Sequence, residues 1–277
     1  MLSLLALTSS LFWGTSDFFA GVKARTIAPP AVVAFTQAAA LLALSAFLLV
    51  RNTGFSPHFS GNGPWWAVAA GVAGAAGLVC FYTALASGTM GVVAPISSLG
   101  ALVPVFLGLL TGEHPSATAW VGMAVAVTGA ALASGPELTG AVPPRPVILA
   151  AVAAACFGTA LYCLDRGARY ALVETLWGMR ATSVVLFLVA GLAVRSVGGT
   201  RARDLPALAV IGLGDVSANG LFAFASSRGM VSVASVLGSL YPVATLFWAR
   251  VLLGERLRRV QTIGVGLTLL GVVAIAL

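Results

Sequence analysis

Charge is what this sequence has least of. Asp, Glu, Lys and Arg make up 8% of its 277 residues, against about 25% in soluble domains. Residues 52–112 hold none of them, nor do 26–50, 114–136, 146–164, 229–249 and 260–277. A soluble chain of this length keeps much of its surface in water, so this poverty of charge excludes a soluble globule. Alternation of apolar and polar residues is also missing, and that excludes a transmembrane β-barrel. Backbone in hydrocarbon must bond to itself, which leaves helices.

Potential metal and redox ligands are scarce. The three cysteines, Cys80, Cys156 and Cys163, fall in apolar runs without CxxC spacing, and His58 and His114 occupy separate links. No metal site, disulfide framework or cofactor is expected. No GxxxxGK[ST] occurs, so ATP-driven pumping by this chain alone is not expected. The N-terminal segment lacks a basic n-region and carries Asp17 in its apolar stretch, so it reads as a retained span rather than a signal peptide.

What is present in abundance is hydrocarbon: 59% hydrophobic residues and a mean hydropathy of +1.02. About 20 apolar residues cross the ~30 Å bilayer core. Spans are expected near 2–22, 31–50, 64–86, 90–111, 116–134, 147–164, 173–194, 206–227, 231–253 and 260–277. The expected fold is all-α integral membrane with ten transmembrane helices. Lys and Arg outnumber Asp and Glu, 15 to 8. They mostly flank the spans, which points to membrane topology and the lipid bilayer, not nucleic acid.

The longest compositional break, SGPELTGAVPPRP at 134–146, lies near the midpoint, and a repeat surrounds it. FWGT at 12–15 matches CFGT at 156–159; Phe81, Ala84 and Gly88 match Phe222, Ala225 and Gly229; Gly112-Glu113, Gly122 and Gly129 match Gly254-Glu255, Gly264 and Gly271. The expected organisation is a five-helix unit at 1–135, a linker at 136–146 and a second unit at 147–277. An odd number of spans makes the second unit enter from the opposite side, giving inverted repeats with a site near the midplane. Two repeats complete such a site, so an oligomer is not required. Gly71, Gly74, Gly77, Gly108 and Gly112 suit close helix packing; Gly88, Gly100 and Gly238 suit either packing or hinging.

The segment PVATLFWARVLLGERLRRVQTIGVGLTLLG (242–271) has a proline, an apolar run, Gly-Glu-Arg and two spaced glycines. With Trp13-Gly14-Thr15 and Arg180, it resembles the EamA repeat of the drug/metabolite transporter superfamily. The resemblance spans essentially the whole chain. It implies a plasma-membrane secondary transporter, often an exporter, of small solutes such as metabolites, amino acids or drugs. It further implies a central cavity lined by the third, fourth, eighth and ninth spans with parts of the first and sixth, the fifth and tenth lying outside. The first repeat departs from the pattern: Gly100 stands where the proline is expected, flanked by Pro95 and Pro104, so its helix break is expected elsewhere than in the second.

Charged groups in hydrocarbon cost about 2.5–3.5 kcal/mol each at the centre of a helix, so those present need a cavity or a partner. Asp215 and Asn219 share a face at i and i+4, as do Trp13 and Asp17. Arg180 lies in span seven near Trp177, and Gln37 is its repeat counterpart. A structural Arg180–Asp215 ion pair is the alternative use. Ser97, Ser98 and Ser239, beside proline breaks, and the aromatic residues Tyr82, Phe222 and Tyr241 complete the substrate-binding set. Phe81, Tyr162 and Ser235 are further candidates for the walls. An aspartate buried there can bind and release a proton and so couple export to the proton gradient. Glu113 and Glu255 read as helix-end anchors.

Other functions leave weaker traces. Gly212-Leu213-Gly214-Asp215 resembles the GxGD of intramembrane aspartyl proteases, with Asp17 as second carboxylate and Pro206-Ala207-Leu208 as a PAL triplet. In that family YD precedes GxGD and PAL follows on a later helix; here Asp17 follows Ser16 and PAL comes first, in the same span. An enzyme is therefore not expected. A lipid translocase or a non-transporting receptor stays as the alternative. Counting basic residues by link places both termini outside, whereas members of the resembling family are drawn with cytoplasmic termini.

Overall fold

A computed structural model describes residues 1–51, 61–88, 90–133, 144–196, 198–254 and 259–276. Those residues form helices and no strand. In order they are α1 (Leu2–Lys23), α2 (Pro29–Val50), α3 (Gly63–Ser87), α4 (Met90–Ser98), α5 (Leu102–Leu110), α6 (Ala117–Ala133), α7 (Pro144–Val194), α8 (Leu205–Ser227), α9 (Val231–Gly238), α10 (Tyr241–Leu253) and α11 (Arg259–Ala276). Among the described residues, six segments are long and apolar enough to cross a membrane: Pro29–Val50, Gly63–Ser87, Met90–Leu110, Pro144–Ala193, Ala202–Ser227 and Val231–Leu253. The molecule is an all-α, multi-pass membrane protein.

Two expected spans, 147–164 and 173–194, meet in the single element α7. Ala171, with φ −158° and ψ 103°, breaks its helical path. Each arm is long enough to cross the bilayer, at 1.5 Å per residue. The tight turn keeps the arms contiguous where a loop was expected.

The expected proline kinks are placed differently. α4 runs through Pro95, and the break is a 3-10 turn at Leu99–Ala101, between the two prolines. In the second half the break falls at Ser239–Leu240, and Pro242 sits in the first turn of α10. A first-turn proline lacks only an N–H that has no intrahelical partner anyway. So the two breaks occupy matching positions, contrary to the expected difference, and Pro242 begins a helix rather than bending one.

Exposure runs inside-out relative to a soluble protein. Leu42, Phe106, Leu188, Leu192 and Val210 face outward, while Asp17, Gln37, Arg180 and Asp215 are buried. Backbones approach where side chains vanish. A Cβ on Gly14 would collide with the Tyr241 carbonyl, one on Gly158 with the Gly100 carbonyl, and one on Gly212 with the Thr36 carbonyl. Positive φ at Gly112 (92°) and Gly254 (68°) marks the ends of α5 and α10, where a glycine relieves the left-handed turn. Most of the expected linker, with His58, Glu255, Arg256 and Arg258, lies outside the described residues; Pro144, Arg145 and Pro146 already belong to α7.

Candidate functional site

Arg180 is the largest fully buried side chain, 1% exposed, and its charge is met inside the bundle. Its Nη2 lies 2.9 Å from Asp215 Oδ2, and its Nη1 donates to Gln37 Oε1 at 2.6 Å. Gln37 Nε2 donates in turn to Asp215 Oδ2 at 3.4 Å. Asn219, one turn along α8, donates Nδ2 to Asp215 Oδ1 at 3.1 Å. Three helices thus hold one cation and one carboxylate in a closed network. Arg180 Nε and Nη2 are both buried without a hydrogen bond, so the Nη2–Asp215 contact is an ion pair by charge and distance alone.

Asp17, on α1, is separate from this network. Tyr82 of α3 donates its hydroxyl to Asp17 Oδ1 at 3.1 Å, the one hydrogen bond its carboxylate receives among the described residues. Both aspartates and Arg180 open onto one cavity, lined also by Trp13, Ser97, Ser98, Asn219, Ser239 and Tyr241. The space open to the centres of water molecules measures about 70 Å³, room for several waters or a small solute. Its walls come from both halves of the chain.

The ring contacts around the cavity repeat. Trp13 packs on Phe222 with centroids 5.6 Å apart. Their sequence counterparts Phe157 and Phe81 pack at 5.5 Å. Gly238, beside Trp13 and Phe222, has no side chain to block the indole.

The model of the EamA-like transporter family matches residues 1–135 and again residues 144–277. The chain belongs to the EamA-like transporter family. A solved chain described as "Crystal structure of protein" has a TM-score of 0.80 at 19% identity, covering 100% of this chain and 98% of that one. That likeness speaks to the fold. No curated protein matches.

In this EamA-like transporter the expected site residues divide. Trp13, Asp17, Ser97, Ser98, Arg180, Asp215, Asn219, Ser239 and Tyr241 line the cavity. Gln37, Tyr82 and Phe222 stand one layer behind, against Arg180, Asp17 and Trp13. Trp177 is not a lining residue; its Nε1 donates to Ser45 Oγ at 3.0 Å on α2. Tyr162 lies elsewhere too, edge-on to Trp66 and under Arg166. The ion-pair alternative for Arg180 and Asp215 is realised, and the same pair lines the cavity.

The serines differ in what they bond. Ser239 bonds back to the Val236 carbonyl of its own helix, whereas Ser97 reaches Ala150 across the seam at 3.3 Å. Phe157 and Met179 line the cavity unforeseen; for Phe157 the signal was its alignment with Trp13. Glu113 is an anchor as expected. Its carboxylate accepts from Val231 N at 2.7 Å, Ser232 N at 3.0 Å and Ser232 Oγ at 2.6 Å, capping α9. The GxGD-like glycines have packing roles, Gly212 against Thr36 and Gly214 against Ser16.

Proposed function

We propose that this membrane transporter is a secondary carrier that moves a small metabolite, amino acid or drug outward across the plasma membrane. It does so by opening the Asp17–Arg180 cavity alternately to each side. The single observation that carries this reading is a cavity inside the bundle, walled by both halves of the chain, onto which Asp17, Arg180 and Asp215 open. Ten crossings follow from counting α4 with α5, α9 with α10, and the two arms of α7 separately.

Inverted pairing of the halves is supported by contacts that exchange between them. Gly14 meets Tyr241 while its counterpart Gly158 meets Gly100; Gly212 meets Thr36 while its counterpart Gly71 meets Met179. Gln37 and Arg180, themselves counterparts, bond to each other, as residues at a two-fold seam do. Such a seam is where alternating access is built. Asp17, with its single hydroxyl partner, is the group we assign to proton coupling; Tyr82, Asp215, Arg180 and Tyr241 are the titratable groups around it.

A lipid path needs a polar groove open to the bilayer. The outer groove between α1 and α8 is walled by Leu11, Phe12, Phe19, Val210 and Leu213. Two of its hydroxyls are engaged, Thr15 by Trp248 Nε1 and Ser217 by the Leu213 carbonyl. A soluble solute fits better. Aspartyl protease chemistry needs two carboxylates sharing a proton, whereas Asp215 is held by Arg180. The test compares metabolites inside and outside cells with and without the protein, followed by flux in proteoliposomes. Flux of an accumulated compound that Arg180→Ala abolishes supports a carrier; absence of flux for every compound that changes refutes it.

A further inference from the structure

We infer that the solute held in the Asp17–Arg180 cavity is a small organic monocation carrying a hydrogen-bond acceptor. The inference rests on the carrier reading and names the chemistry of its cargo. It follows from a charge count. Arg180 is the one basic lining residue among the described residues, and its charge is already spent on Asp215 at 2.9 Å. Gln37 and Asn219 fill further positions around that pair. Asp17 remains, 6% exposed, with one hydroxyl donor and no cation partner among the described residues. With Asp17 ionised, the described residues of the cavity therefore carry an excess of one negative charge.

Each class of solute meets that excess differently. An anion adds a like charge beside Asp17 and Asp215 inside the bundle. A neutral solute or a zwitterion leaves the excess standing. A monocation cancels it, through an N–H to Asp17 that is charge-assisted on both sides. Trp13, one turn before Asp17, and Tyr241 also line this cavity and bring aromatic rings, which attract cations. The acceptor requirement comes from Arg180. Arg180 lines the cavity, its Nε is buried without a hydrogen-bond partner, and a buried donor left unmade is costly. An ether, carbonyl or hydroxyl oxygen on the solute satisfies it. A proton on Asp17 also cancels the charge, and it would make the cavity receptive to alcohols instead.

A matched series separates these cases. Purified protein in detergent is titrated with pentylamine, pentanol, norleucine and hexanoate, and with methoxypropylamine, which places an ether oxygen in the pentylamine chain. Binding is read from the shift in unfolding temperature. Pentylamine is expected to bind at least about tenfold more tightly than pentanol or hexanoate, the equivalent of about 1.4 kcal/mol. Methoxypropylamine is expected to bind more tightly still. Asp17→Asn abolishes the preference for the amine, and Asp17→Glu retains it.

Tighter binding of hexanoate, norleucine or pentanol, an amine preference that survives Asp17→Asn, or no stabilisation by any of the five overturns the inference. So does pentylamine binding as tightly as methoxypropylamine. These results leave the carrier reading standing, because that reading falls with the loss of flux in proteoliposomes, whatever the charge of the solute.

Discussion

Replacing Asp215 by asparagine keeps the shape of the side chain and deletes its charge. Arg180, 1% exposed, is then left with Gln37 Oε1 and two amide dipoles in place of a carboxylate at 2.9 Å. Removing one partner of a buried ion pair costs about 3–5 kcal/mol. That corresponds to a fall of roughly a hundredfold to several thousandfold in the folded-to-unfolded ratio. The cavity beside the pair has room for water, which moves the expectation to the lower end. Arg180→Gln strands Asp215 in the same way.

The double replacement is the informative one. Without either charge, the two new amides can bond to each other and to Gln37 and Asn219. It should therefore cost less than Asp215→Asn alone, with a coupling of at least about 2 kcal/mol. Equilibrium unfolding of the four proteins in one detergent measures the cycle. Single replacements that are neutral within about 0.5 kcal/mol, or strictly additive losses, would refute the claim that Arg180 and Asp215 compensate each other inside the bundle.

Other expectations follow from particular contacts. Gly14→Ala drives a methyl into the Tyr241 carbonyl and should destabilise by about 1–3 kcal/mol, with lowered yield of monodisperse protein. By contrast, Gly191 has open space around its Cβ direction, so Gly191→Ala in α7 should stabilise by about 0.5–1 kcal/mol in the same unfolding assay. Glu113→Gln weakens the charge-assisted cap on α9 and should cost about 1–2 kcal/mol. It should also speed hydrogen exchange at the amides of Val231 and Ser232. Trp248→Phe removes the bond to Thr15 Oγ1 and should cost about 1 kcal/mol while leaving flux unchanged.

The membrane architecture was legible because hydrocarbon imposes it: charge-free runs of spanning length admit little besides helices. The cavity's composition was legible for the same reason, since a charge inside such a run must face something polar. That is how Asp17, Arg180, Asp215 and Asn219 announce themselves. Which partner each finds was not legible. Arg180 and Asp215 meet through the rotation of α7 against α8, and Gln37 joins them from α2; no sequence spacing encodes those angles.

Helical periodicity also misplaced Trp177, whose indole crosses to Ser45, because one turn of separation fixes a face but not a neighbour. Phe157 escaped notice although the repeat aligns it with Trp13. An aromatic residue in an apolar run carries no signal unless its counterpart is already assigned a role. The break at Leu99–Ala101 was masked by its neighbours, since prolines were credited with a bend that the close approach of Gly100 to Ala154 accompanies instead.

The central claim is that one cavity faces both sides of the membrane in turn. In protein whose Cys80, Cys156 and Cys163 are replaced by alanine, Ser239→Cys places a single thiol in the cavity wall. Reaction with a membrane-impermeant maleimide, applied from outside to intact cells and from inside to inverted vesicles, measures access directly. The account predicts labelling of this one position from both sides, with the balance shifted by transported solute. Labelling confined to one side under every condition, with flux intact, would contradict it.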